Sequence, residues 1–106
     1  MRKGLTFAAL LLILVAGSTA FAQAGKDVFS AKCVMCHGAD ASANTPMGKN
    51  LKIPDLRSPE VQKKSDAELE TIISKGKNKM PAYEGKLSKE QIAQVTAYIR
   101  DLGKKK

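Results

Sequence analysis

The chain has 106 residues, enough for one domain. Lysine and arginine number 18 against 10 aspartate and glutamate, a net charge of +8, and there is no tryptophan. Two cysteines and one histidine are too few for a structural zinc site, which takes four ligands and commonly two cysteine or histidine pairs.

Arg2 and Lys3 open the chain, Leu5 to Ala16 is apolar apart from Thr6, and Ala20-Phe21-Ala22 has the small-x-small form of a cleavage site. This is the pattern of a secretory signal peptide over residues 1–22, removed after Ala22. It predicts export to the periplasm or an equivalent compartment. The alternative is a retained membrane anchor, but Leu5 to Ala22 gives only 18 residues, the lower limit for a span. No cysteine closes the apolar run, which excludes a lipid anchor there.

The mature domain is then residues 23–106, 84 residues with a net charge of +6 once Arg2 and Lys3 are gone. A domain of that size buries little apolar surface and often needs a staple. Its Tyr and Phe are Phe29, Tyr83 and Tyr98.

Ala24 to Cys36 reads as a first helix, with Val28, Phe29, Cys33 and Cys36 on one stripe, stopped by Gly38. Its end carries Cys33-Val34-Met35-Cys36-His37, the C-x-x-C-H pattern of covalent haem attachment. On a helical turn, positions i, i+3 and i+4 share a face. Both thiols and the imidazole therefore point the same way, towards a porphyrin and its iron, while Val34 and Met35 face elsewhere. Other readings are a thioredoxin-type redox pair, half a zinc site or a structural disulfide. No strand pattern supports the first, and none explains a histidine directly after the second cysteine. A haem would also supply the apolar bulk that the short chain lacks.

Residues 39–54 show no period and read as loop. Ser58-Pro59-Glu60 opens a short helix that ends by Lys64, with Ser as N-cap and Pro at the first helical position. Ser65-Asp66-Ala67-Glu68 is a capping box for a helix with Leu69, Ile72 and Ile73 on one face, closed by Gly76. Ser88-Lys89-Glu90-Gln91 is a second such box, with Leu87 and Ile92 as its hydrophobic staple. Ile92, Val95, Ile99 and Leu102 continue the stripe and Gly103 stops it. The prediction is an all-α domain of three main helices and one short one, with no strands.

Between the last two helices lies Lys75 to Tyr83. Met80 precedes Pro81, which disfavours helical geometry, and its neighbours are polar. Methionine is more often packing than ligand. A haem held by His37 needs a second axial group, however, and a thioether there raises the iron potential. Met47 competes for that role; Met35 lies on the wrong side of the motif.

With these residues in hand, the chain resembles the class I c-type cytochromes, the small soluble bacterial and photosynthetic carriers. The resemblance rests on Cys33 to His37, on Gly76 to Tyr83, and on the closing helix with Ala97-Tyr98-Ile99. It covers the whole mature chain. It implies a single-haem cytochrome c fold whose first and last helices cross, here at Gly25, Phe29, Val95 and Tyr98. It implies one haem c, bound to Cys33 and Cys36 and ligated by His37 and Met80, with Pro46 as candidate carbonyl partner of the imidazole. It implies one-electron transfer between periplasmic or membrane redox partners, not catalysis.

Two ligands from the protein leave the iron no open site for oxygen or peroxide. The one histidine is engaged, so no Ser/His/Asp set exists, and no phosphate-cradling glycine loop is present. A cytochrome subunit docked permanently on an oxidase or dehydrogenase is the alternative, as is a haem peroxidase if Met80 is not a ligand. Lysines 75, 77, 79, 86 and 89 are either an ordinary solvated face or a basic rim that steers an acidic redox partner to a monomeric carrier. Nucleic acid is not expected for an exported chain without aromatics interleaved among its lysines.

Overall fold

The computed structural model describes residues 20–105. Most of the expected signal peptide, residues 1–19, lies outside these. A first helix, α1, covers residues 20–32, followed by α2 (Val34–His37), α3 (Pro46–Leu51), α4 (Pro59–Gln62), α5 (Asp66–Lys75) and α6 (Lys89–Lys105). The described residues contain no strand, only isolated bridges between Lys77 and Met80 and between Glu84 and Leu87. The fold is the small all-α one that the sequence predicts, with three differences in its helices, the third of them that α6 runs on through Gly103 to Lys105 where the sequence predicts a stop.

The first helix does not run unbroken from Ala24 to Cys36. Cys33 leaves the helix at φ −115°, and α2 is a separate turn. The second difference is α3, inside the segment read as loop. Thr45 caps it by accepting from the Gly48 N–H, and Pro46 takes the first helical position. This is the chemistry already read at Ser58-Pro59, and Ser58 caps α4 in the same way.

The two capping boxes form as expected. The Ser65 hydroxyl accepts from the Glu68 N–H at 3.1 Å, and Glu68 Oε1 accepts from the Ser65 N–H at 3.2 Å. Ser88 and Gln91 repeat the exchange at 3.0 and 2.9 Å. Leu87 and Ile92 are both buried, as a staple requires.

The core is the seam between α1 and α6. A β-carbon on Gly25 would stand 2.0 Å from the Gln94 carbonyl oxygen, so only glycine allows this approach. Phe29 and Val95 are each 1% exposed, and Phe29 meets Tyr98 edge-on with ring centres 5.5 Å apart. The buried Thr96 hydroxyl donates to the Ile92 carbonyl at 3.0 Å, so it costs no unpaired polar group. Leu69 and Ile73 add the buried face of α5.

Arg100 ties α6 to the α4–α5 connection. Its guanidinium donates to the Gln62 carbonyl at 2.7 Å, to Asp66 Oδ1 at 2.9 Å and to the Lys64 carbonyl. The Gln62 amide in turn donates to the Leu56 and Ile99 carbonyls at 2.8 and 3.2 Å. Carbonyls stranded where α4 ends thereby gain donors.

Candidate functional site

A cavity of about 350 Å³ opens beside α2. Cys33, Cys36, His37 and Met80 all line it. Its apolar walls are Leu51 at the end of α3, Ile53 and Leu56 from the segment after it, Val61 from α4, and Leu69 and Ile72 from α5. Such a size and lining are usual for a bound organic group. Of the other methionines, Met47 is 42% exposed and does not line the cavity, and Met35 is 78% exposed.

The attachment turn is braced from behind. The His37 N–H donates to the Cys33 carbonyl at 3.0 Å, and the Ala43 N–H donates to the His37 carbonyl at 2.7 Å. Thr45 Oγ1 donates to the Cys36 carbonyl at 2.8 Å while accepting from Gly48. A β-carbon on Gly48 would lie 2.3 Å from the Ala43 oxygen and 2.8 Å from that of Cys36. Thr45 and Gly48 went unrecognised in the sequence; the Thr-Pro pair at the start of α3 was their signal. The His37 ring lies 6.3 Å from that of Phe29, centre to centre.

Pro46 does not serve the imidazole. Nδ1 of His37 is buried without any hydrogen-bond partner. As the first residue of α3, Pro46 directs its carbonyl into that helix's own ladder.

The Met80 loop begins at Gly76, whose φ of 79° suits glycine. Lys77 and Met80 then exchange backbone hydrogen bonds, Lys77 donating at 3.2 Å and Met80 at 2.9 Å. Tyr83 closes the loop and also lines the cavity. Its N–H donates to the Ile73 carbonyl at 3.0 Å, and its hydroxyl donates to the Lys32 carbonyl at 3.1 Å.

The cavity is a desolvated place for charge. Burial, and secondarily the neighbouring Cys36, pushes the Cys33 thiol up to about 11. Burial holds the His37 imidazole below the usual histidine range. Burial also raises the Tyr83 phenol, with Cys33 and Cys36 adding to it. His37 is therefore neutral at pH 7, the form that can ligate a metal.

The lysines divide between two places. Lys77 and Lys79 line the cavity together with Lys32, Lys52 and Lys64. Lys75 instead pairs with Glu84 at 2.6 Å on the exposed surface. Lys86 stands 5.9 Å from the centre of the Tyr83 ring.

Among the described residues, no three His, Cys, Asp or Glu side chains group to hold a bare metal ion. Two thiols, an imidazole and a thioether around an apolar hollow suit a metal that arrives inside an organic ring. Comparison with known proteins agrees. The family profile described as "Cytochrome C oxidase, cbb3-type, subunit III" matches residues 20–99. A cytochrome c6 of Picosynechococcus sp. is 34% identical over 111 aligned positions, covering 95% of this chain and 94% of its own. A cytochrome c6 of Nostoc sp. is 39% identical over 89 positions, covering 76% of this chain and 68% of its own. The cbb3-type cytochrome c oxidase subunit FixPc of Rhizobium leguminosarum is 33% identical over 84 positions, covering 77% of this chain but 28% of its own.

The chain belongs to the class I c-type cytochromes.

The cytochrome's cofactor is accordingly haem c, and its task is to carry electrons rather than to transform a substrate. The residues present fit that group. The apolar walls match a porphyrin's faces, and the donor set matches its vinyl-derived carbons and its iron. The His37 imidazole is largely buried at the cavity, its Nδ1 without a hydrogen-bond partner among the described residues. No helix among the described residues is long and apolar enough to cross a membrane.

Proposed function

We propose that this cytochrome is a one-electron carrier whose Cys33 and Cys36 hold haem c as thioethers and whose His37 and Met80 fill the iron's two axial positions. One observation carries the reading: two thiols, an imidazole and a thioether from distant parts of the chain line one apolar cavity. When bound, haem c supplies a ferric–ferrous couple that takes up and releases one electron. The protein's part is to fix and tune it. Neutral His37 donates a nitrogen lone pair. Met80 offers a soft sulfur that favours the ferrous state and so raises the potential. The apolar walls exclude water, and two axial ligands deny the iron to peroxide.

Lys32, Lys52, Lys64, Lys77 and Lys79 at the cavity form a basic rim for an acidic redox partner, with a gain in encounter rate that salt screens. Lys75 is occupied by Glu84 and contributes less. The signal peptide of residues 1–22 sends the chain to the periplasm, where cleavage after Ala22 leaves a monomer of residues 23–106.

The likeness to FixPc and to a cbb3-type subunit supports a second reading, a cytochrome subunit docked permanently on an oxidase. Gel filtration of a native extract separates the two, since a carrier elutes alone.

The ligand assignment is tested by replacing each candidate methionine. Met80→Ala is expected to abolish the far-red thioether-to-iron band of the oxidised holoprotein, admit cyanide and carbon monoxide, and lower the potential markedly. Met47→Ala is expected to do none of these. Loss of the band in Met47→Ala alone would show the wrong methionine was chosen. Its absence from the wild type would leave the iron open and favour a peroxidase.

A further inference from the structure

We infer that Tyr83 is a positioning residue that latches the Met80 loop to the haem-attachment turn, and so keeps external ligands from the iron. The inference rests on the reading of Met80 as an axial ligand. The exchange of backbone bonds between Lys77 and Met80 fixes the loop's own shape. It does not fix how near the loop stays to Cys33 and His37. Tyr83, three residues on from Met80, supplies that restraint from two directions. Its main-chain N–H holds the Ile73 carbonyl of α5 at 3.0 Å. Its hydroxyl reaches 51 residues back along the chain to the carbonyl of Lys32, the residue before Cys33.

That carbonyl is open to an outside donor for a structural reason. The helix breaks at Cys33, and the Cys36 N–H, which a continuous helix would direct to Lys32, donates to the Cys33 carbonyl at 3.3 Å instead. The phenol replaces the missing helical donor. It therefore spans α1 and the Met80 loop across the cavity that both of them line. The ring also packs against the core cluster, so removing the hydroxyl alone leaves the packing in place.

An external ligand reaches the iron only when Met80 swings away, and the latch makes that opening rarer. The test is the rate at which cyanide binds the ferric holoprotein, followed by loss of the thioether-to-iron band, in wild type and Tyr83→Phe. Tyr83→Phe is expected to keep the resting band and to bind cyanide about fivefold faster, the weight of one ordinary hydrogen bond. Ser65→Ala, which removes a cap hydrogen bond of α5 at a residue that does not itself line the cavity, serves as a control for general loss of stability and is expected to bind at the wild-type rate. A Tyr83→Phe rate within about twofold of wild type overturns the latch, as that is the smallest shift one hydrogen bond predicts. An equal acceleration in Ser65→Ala overturns it too. A wild type without the band refutes Met80 ligation itself, and the latch falls with it.

Discussion

A single hydrogen atom at position 25 sets how closely the first and last helices approach. Any larger side chain there meets Gln94 main chain, with its oxygen 2.0 Å and its carbonyl carbon 2.5 Å from the new β-carbon. Backbone of a packed helix cannot move aside as a flexible side chain can, so the seam must part and Phe29, Val95 and Tyr98 lose contact with one another. Gly25→Ala is expected to cost about 1–3 kcal/mol, the usual range for forcing atoms into a filled core. A thermal melt of the holoprotein measures it, and an unchanged midpoint would mean that the seam is looser than its geometry. The sequence made this residue legible only through the family resemblance; glycine near a helix start is otherwise ambiguous. Thr45 and Gly48 show the opposite case. The Thr45-Pro46 pair signals a helix start, but that this start folds back onto the Cys36 carbonyl is a contact no local pattern announces.

The helices whose ends carry capping residues were the most legible elements, because a cap acts over three residues and needs no partner from elsewhere. Ser58, Ser65 and Ser88 each do what their spacing predicts. The same rule should have found α3 from Thr45 and Pro46, but the Gly and Asn inside that helix hid it among loop signals. The break at Cys33 was not legible, since the apolar stripe runs through it unchanged. The capping box of α5 has a measurable consequence. The hydrogen bonds with the Ser65 main chain and hydroxyl hold the Glu68 carboxyl below the usual glutamate range. A depressed carboxyl adds stability at neutral pH that is lost as pH falls through its folded value. Ser65→Ala is expected to cost about 1 kcal/mol at pH 7, while Glu68→Gln, which removes the titrating carboxyl, is expected to flatten the acid limb of the melting-temperature profile below the ordinary glutamate range. A profile parallel to that of the wild type would show that the box carries no pH dependence.

The whole molecule is built around a hollow. The attachment motif, local in sequence, was readable at once, and Met80 could be placed because Pro81 and its distance from His37 allowed it to reach the same cavity. Tyr83 could not be read in its role, because its partner Lys32 lies 51 residues away. A domain this small cannot leave a cavity of about 350 Å³ between its helices and remain stable on the rest of its core. The haem-free chain is expected to be largely unfolded by far-UV circular dichroism, with haem adding the stability that any group bound only by the native state adds. A cooperative melt of the haem-free chain matching that of the holoprotein would refute this. The crossing of α1 and α6 also sets an order in time. It joins Gly25 to Gln94, and Arg100 reaches back to Gln62. Contacts between such distant partners form slowly compared with those inside a single hairpin of helices. A chain that emerges amino end first therefore has no seam to close until α6 has followed. Throughout that interval the thiols of Cys33 and Cys36, half-buried in the finished fold, stand open to whatever must reach them.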